Sequence, residues 1–330
     1  MKQPFGNLNL KCEFWLGDHV MRRKKRRRLN WRNIIGLLLF IILIVGGLYG
    51  FTVYNSFNKA VATMHEPLDE KDSKEKQTEA LEKKEPFSAL MLGVDERDGD
   101  SGRSDTMIVL TVNPNNNSVK MLSIPRDTMT EIVGKGKEDK INHAYAFGGV
   151  PMAVDTVENF LDIPIDYYVK INMEGFKDIV DTVGGINVEN DFAFKVEESN
   201  FPTGDIHLNG EEALIYIRMR YDDPNGDFGR QERQRQVIQA VIKKGASISS
   251  LSKAPDIFKA IGSNVKTNLT FEEMINIQKN YKEAGKNIEQ LTIQSEGKMI
   301  DNIYYGIVTM AEQQRIQDEL KAQLEINSDS

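Results

Sequence analysis

One uncharged run limits what this chain can become. From Asn33 to Asn58 no residue is charged, and the centre of the run reads 34-IIGLLLFIILIVGGLYGF-51. Coiled as a helix at about 1.5 Å per residue, its 26 residues reach ~39 Å, against a hydrocarbon thickness of about 30 Å. Immediately before it stands 22-RRKKRRR-28. A basic run on one flank marks the cytoplasmic side of a span. The expected layout is a cytoplasmic tail over 1–32, a transmembrane helix over 33–54, and everything beyond it outside the cell membrane. A cleaved signal peptide would have a shorter apolar region and a small-residue cleavage site. This run is long and ends in Tyr54, Asn55, Ser56 and Phe57.

Charge divides at the same place. Residues 1–32 hold ten Lys and Arg against two acids, a net of +8. The whole chain is −7, so removing the +8 of the tail leaves −15 on residues 33–330. The basic run alone would suit nucleic acid. Abutting a span, it is explained by topology, and no nucleic-acid partner is expected. The only cysteine, Cys12, lies in the tail, so the exported part folds on its core without a disulfide. Residues 1–20 show no apolar periodicity, and a start at Met21 would give an ordinary anchor. Translation from Met21 is the expectation.

Residues 55–86 are rich in acids and lysines and read as a solvated, partly helical spacer. At Phe87 the pattern changes. The stretches 87-FSALMLGV-94, 106-TMIVLTV-112 and 118-SVKMLSI-124 read as strands, and 113-NPNNN-117 is a turn signal that joins the last two as an antiparallel hairpin. Centring the loop between Asn115 and Asn116 sets Asp105 opposite Arg126 at the open end. If the first strand runs parallel to the third, Asp95 arrives at the same edge, with Arg103 close by.

Beyond the hairpin, Pro151 opens a helix over 151–161, followed by a strand at 165–172, a helix at 173–183 that stops at Gly184-Gly185, and a strand at 186–190. Asn209 and Glu212 form a capping-box pattern ahead of a helix carrying Arg218 and Arg220. Asp227 then begins a long helix to about Ala246, on which Arg230, Arg233, Gln234 and Val237 share one face. Cations in the first turns of a helix are unfavourable unless an anion is bound nearby. Thr270 and Glu273 cap another helix, and a possible strand at 288–294 and a charged C-terminal helix follow. Alternating strand and helix argues for an α/β layered domain over 87–330, its sheet made mixed by the early hairpin.

Two carboxylates and several guanidiniums at one sheet edge suggest a metal and a polyphosphate. Mg²⁺ is commonly held by one or two carboxylates plus phosphate oxygens, and arginine forks match phosphate. The exported part has no cysteine, no His pair at metal-ligand spacing, no GxSxG and no Walker A loop. Plainer readings stand beside this one. Asp and Gly between 95 and 105 also suit an ordinary turn. The arginines of 218–235 also suit a solvated face answering Asp222, Asp223, Asp227 and Glu232. His143 reads more as a loop hydrogen-bonder than as a catalyst. Spacing alone does not bring the 218–234 cluster to the sheet edge.

The motifs 93-GVDERDGDSGRSDTM-107, 122-LSIPRDT-128, 140-KINHAYAFGG-149, 183-VGGI-186, 208-LNGEEALIYIRMR-220 and 227-DFGRQERQRQ-236, in this order, resemble the LytR-CpsA-Psr family. They cover most of 87–246. The resemblance implies an α/β/α sandwich with a central mixed β-sheet behind one membrane anchor. It implies a phosphotransferase, closest to those acting on wall teichoic acid in Gram-positive bacteria. Such an enzyme moves an anionic glycopolymer from undecaprenyl pyrophosphate to the C6 hydroxyl of N-acetylmuramic acid in peptidoglycan, forming a phosphodiester. By motif, Asp95 and Asp105 would bind Mg²⁺, with Mn²⁺ as a substitute. Asp105, Arg126 and Arg103 would be the catalytic residues, with Asp105 or a neighbour helping to deprotonate the muramic acid hydroxyl. Arg103, Arg126, Arg218, Arg220, Arg230, Arg233 and Gln234 would grip the pyrophosphate. The family also holds the prenyl chain in an apolar tunnel, whose lining the sequence does not separate from the core. The same site could hydrolyse prenyl pyrophosphates, and a non-enzymatic envelope regulator or scaffold is a third reading.

Overall fold

The computed structural model describes residues 64–68, 73–96, 102–196, 198–220, 223–247, 262 and 264–326. The basic tail, the expected span at 33–54 and the loop residues Arg97, Asp98 and Asp100 lie outside them. No helix among the described residues is long and apolar enough to cross a membrane.

The turn at 113–117 sets the register of the sheet. The Asn113 side chain accepts from the Asn115 and Asn116 amides at 2.8 and 3.3 Å, and Asn117 takes a left-handed φ of 53°, which asparagine tolerates better than most residues. This fixes β2 (Ser104–Asn113) against β3 (Ser118–Ile124) with Asn113 opposite Ser118 and Met107 opposite Ile124. β1 (Phe87–Val94) lies antiparallel to β2 and so parallel to β3. With β6 (Tyr167–Asn172), β11 (Val265–Thr267) and β12 (Ile288–Thr292) the order is β11-β6-β1-β2-β3-β12, parallel at β1–β6 and β3–β12 and antiparallel elsewhere. The result is a mixed α/β fold around a central mixed sheet.

Period-2 alternation sends side chains to both faces, and both are buried. Leu90, Leu92, Val109 and Leu122 face one core. They meet α2 (His143–Leu161) and α7 (Met310–Leu324), whose Val154, Val157, Phe160, Ile316 and Leu320 join that core. Phe87, Ala89, Val119 and Tyr167 face the other, against Leu81 of α1 (Ser73–Glu82) and Tyr281 at the end of α6 (Phe271–Asn280). A third cluster joins the ribbon of β7 (Ile186–Asn190) and β10 (Gly204–Leu208) to α4 (Gly210–Arg218) and α5 (Asp227–Ser247). The capping boxes at Asn209/Glu212 and Thr270/Glu273 both form. α3 (Met173–Thr182) follows β6 directly, with Asn172 accepting the Gly175 amide at 2.8 Å.

Three expectations change. The spacer is not free of the domain from Met64 onward. Met64 and Leu81 are buried and Leu68 packs on the main core. The Glu66 amide donates to the Thr267 carbonyl at 2.8 Å, and the Tyr168 hydroxyl donates to the Glu66 carbonyl at 2.7 Å. Three apolar anchors dock a stretch that is otherwise mostly charged and polar. The second helix begins at His143, not Pro151. Gly148 and Gly149 leave helical geometry, and Pro151 opens only its second segment. Third, the structure adds short hairpins: β4 (Met129–Ile132) with β5 (Lys137–Lys140), β8 (Phe194–Val196) with β9 (Ser199–Phe201), and β13 (Glu296–Ile300) with β14 (Ile303–Ile307). Stretches such as 137-KEDK-140 have no apolar alternation to betray a strand.

Candidate active site

Continuing the β2–β3 register past Met107–Ile124 brings Asp105 opposite Arg126. The contact is made: Arg126 Nη1 lies 3.0 Å from Asp105 Oδ1, with the carboxylate half exposed. Arg126 also places Nε 3.6 Å from Asp127 Oδ2, and Lys140 Nζ lies 2.6 Å from Asp127 Oδ1. A guanidinium shared between two carboxylates is held in place, and about a quarter of the Arg126 side chain is exposed.

The loop that leaves β1 is pinned at both ends. Gly102, at φ 67°, returns so close that a Cβ there would sit 2.3 Å from the Asp95 carbonyl oxygen. No other residue allows this return. Glu96 is anchored from two elements. The Tyr145 hydroxyl of α2 donates to it, and Lys170 Nζ of β6 lies 2.9 Å away. Burial pushes the Glu96 carboxyl up, but the hydrogen bonds from Tyr145 and Lys170 and the lysine charge outweigh it and hold the group below the usual range. A depressed carboxyl stabilises the fold above its unfolded value, about pH 4.3, and loses that contribution as pH falls. The stability gap between wild type and Glu96→Gln is therefore expected to close below about pH 4 in acid titrations. A gap that stays constant to pH 3 would contradict the anchor.

Two cavities meet here. The first, about 320 Å³, lies between β1 and the helices α3, α4 and α5. Its walls are mostly apolar: Met91, Ile171, Phe176, Leu214, Ile217 and Ile238. Its charged and polar lining includes Asp95, Asp105, Arg218, Arg230 and Gln234, with Thr106 and Asn172. The second, about 410 Å³, is polar and is lined by Asp95, Arg103, Asp105, Arg126, Asp127, Lys140, Asn142 and His143. Asp95 and Asp105 belong to both. A small cleft lined by Asp105, Arg126, Arg230 and Gln234 adjoins them. An apolar tail with a charged head would place its head at the shared carboxylates.

The fold thus joins what spacing could not. Arg218 at the end of α4 and Arg230 and Gln234 on α5 reach the same cavity as the sheet-edge carboxylates. Arg220, past the end of α4, is exposed and lines neither cavity. Arg233 is a correction. It is buried, ion-paired with Asp223, and donates through Nε to the Tyr216 carbonyl at 3.0 Å and through Nη2 to the Met219 carbonyl. Its guanidinium lies over Phe194 and Tyr216, 5.6 and 5.7 Å from the ring centroids. The reason is helix phase. Arg230, Gln234 and Ile238 recur every four residues along the cavity, whereas Arg233 and Val237 form the neighbouring row and face the core.

Sequence reasoning did not place Asn142, Lys140 and His143 in the polar cavity. The signal was present in 140-KINHAYAFGG-149. Those residues end the β4–β5 hairpin and begin α2, and that unrecognised hairpin carries them to Arg126.

Comparison with known proteins agrees with this geometry. Residues 51–322 match the LytR_cpsA_psr family. This chain belongs to the LytR-CpsA-Psr family. Within the family, it is 54% identical over 304 residues to the polyisoprenyl-teichoic acid--peptidoglycan teichoic acid transferase TagU of Bacillus cereus, covering 92% of this chain and 99% of the relative. The crystal structure of B. subtilis TagU superposes with a TM-score of 0.60 at 54% identity, over 73% of this chain and 97% of that one. A structure of TagT bound to LIIa-WTA superposes with a TM-score of 0.64 at 33% identity, over 73% and 92% of the two chains.

Proposed function

We propose that this chain is a membrane-anchored transferase that moves wall teichoic acid from undecaprenyl pyrophosphate to the C6 hydroxyl of N-acetylmuramic acid in peptidoglycan. One observation carries the reading. An apolar cavity and a polar cavity share Asp95 and Asp105, with Arg126, Arg218 and Arg230 around the junction. A polyprenyl pyrophosphate has that division of chemistry: a hydrocarbon tail, then two phosphates. The names of the relatives, transferase and teichoic acid, point the same way.

In this reading Phe176, Leu214, Ile217 and their neighbours take the first prenyl units. Arg126, with Arg103, grips phosphate from the polar cavity, and Arg218, Arg230 and Gln234 grip it from the apolar one. Phosphoryl transfer is mostly positioning and charge neutralisation, and fixed guanidiniums at a half-closed junction supply both. The donor set also fits a hard divalent cation. Asp95 and Asp105 stand on the common rim, and the usual Mg²⁺ set is one or two carboxylates plus phosphate oxygens. Among the described residues no cluster of three or more His, Cys, Asp or Glu could hold a metal by itself, so substrate oxygens would complete the set. Mg²⁺, or Mn²⁺ in its place, would be held by those two carboxylates and would supply charge neutralisation on the phosphate oxygens. The uncharged run at 33–54, basic side inward, would keep the domain at the leaflet where its lipid donor resides.

The test is transfer itself. The full chain in detergent, with Mg²⁺, receives a lipid-pyrophosphate-linked teichoic acid unit and uncrosslinked glycan strands. Polymer bound to glycan, lost in Asp95→Ala and on chelation, is the expected result. Phosphate release without attachment would instead indicate a pyrophosphatase. Lipid bound without turnover would indicate a scaffold or regulator.

A further inference from the structure

The donor accounts for only part of the polar cavity. Asp127, Lys140, Asn142 and His143 line it as well. Asp127 is already neutralised by Lys140 and Arg126. The other two are built differently. Asn142 is 3% exposed, and its side-chain oxygen is buried with no hydrogen-bond partner. It occupies the N-cap position of α2 without capping the helix. A buried acceptor left without a donor costs stability, and a ligand hydroxyl would satisfy it. His143 follows. Its Nδ1 lies 2.9 Å from Asp139 Oδ1, and its ring meets the Phe147 edge at 5.9 Å between centroids.

Asp139 decides what the histidine can do. Burial raises the Asp139 carboxyl, but the Lys140 amide, the Lys137 ammonium and His143 itself together hold it below the usual range. An ionised Asp139 only accepts, so Nδ1 carries the proton, and in the neutral ring it is Nε2 that keeps the lone pair. The charged groups around the ring are Lys137, Asp139 and Lys140 on β5 and the Arg126–Asp127 pair across the cavity.

We propose that Asn142 and His143 form the subsite for the incoming sugar hydroxyl, with His143 as the general base and Asp139 as the residue that positions it. This rests on the transfer reading above. The acceptor oxygen must lose a proton as it attacks. Asp105 is already engaged: it is paired with Arg126 at 3.0 Å and is one of the two carboxylates that would hold the cation. Asp127 is paired twice. His143 offers a nitrogen oriented by a carboxylate, beside a buried oxygen that can hold the hydroxyl in place.

The step balances as follows. The hydroxyl proton passes to His143 Nε2 while the sugar oxygen bonds to the phosphorus carrying the polymer. The anhydride P–O bond breaks, and its electron pair leaves on the lipid phosphate. His143 then returns the proton to water.

The experiment measures transfer by the full chain in detergent with Mg²⁺ between pH 5 and 9. Wild type, His143→Gln, Asp139→Asn and Arg126→Ala are compared, with donor retention measured separately without acceptor. His143→Gln is expected to lower kcat by about 10²–10³-fold, flatten the acid limb, and leave donor retention and donor KM unchanged. Asp139→Asn should lose less, and lose it in kcat with donor KM unchanged, since the ring stays in place but is no longer held by a carboxylate. Wild-type rate and pH profile in His143→Gln, with Arg126→Ala inactive, would overturn the base while leaving the transferase standing. Loss of donor retention in His143→Gln would overturn it too, by making His143 part of the donor site or the fold. Absence of transfer by wild type would overturn both readings together.

Discussion

Arg126→Ala is expected to lower kcat for transfer by about 10²–10³-fold, the cost of removing a fixed donor aimed at developing negative charge. Arg126 is well placed for this role. It opposes Asp105 by strand register, sits 3.0 Å from it, and lines the polar cavity. The substitution should leave folding largely intact, because Asp105 is half exposed and can be solvated when its partner goes. Arg126→Lys keeps the charge but not the bidentate fork, so it should recover only part of the rate. Steady-state transfer with both variants, beside thermal melts, checks this. Equal loss in melting and in rate would make Arg126 structural.

The second large effect lies outside the cavities. Asp223→Ala is expected to destabilise the domain by about 3–5 kcal/mol, since it leaves Arg233 buried without its counter-charge. Both side chains are almost fully enclosed. Arg233 spends its remaining donors on the carbonyls of Tyr216 and Met219, so it ties the end of α4 to α5. Gly229 makes the lock possible, because a Cβ there would fall 2.0 Å from an Asp223 carboxylate oxygen. The lock sits beside Arg218 and fixes α5, which carries Arg230 and Gln234, so its loss should also weaken donor binding. Denaturant unfolding of Asp223→Ala and of Asp223→Ala/Arg233→Met measures this. The double variant should be the more stable, because it leaves no unpaired buried charge. Additive losses would contradict the lock.

How much of this was legible beforehand depended on whether a local rule fixed a long-range distance. Hairpin register is such a rule. Strand period and one turn signal suffice to set Asp105 against Arg126, and two antiparallel pairings bring Asp95 to the same edge. Helix phase is a weaker rule. It gathers Arg230, Arg233 and Gln234 on one broad face, but that face straddles the boundary between cavity and core. Only packing shows Arg233 turned inward beside Val237. The docked spacer was hidden because Met64, Leu68 and Leu81 are too sparse for periodicity to register. The α4–α5 side of the site arrives through β7, β10 and their core, which no spacing argument reaches. The apolar cavity was hidden for a related reason. Its lining residues are the same types as the core, and only a void separates them.

One molecule of donor is expected to occupy both cavities with its pyrophosphate at the junction. A crystal structure with a short-chain prenyl pyrophosphate and Mg²⁺ tests it most directly. Phosphates are expected between Arg126 and the Arg218–Arg230 pair, with prenyl carbons along Phe176, Leu214 and Ile217. Phosphates bound elsewhere, or a tail lying outside the cavity between β1 and α3–α5, would contradict it.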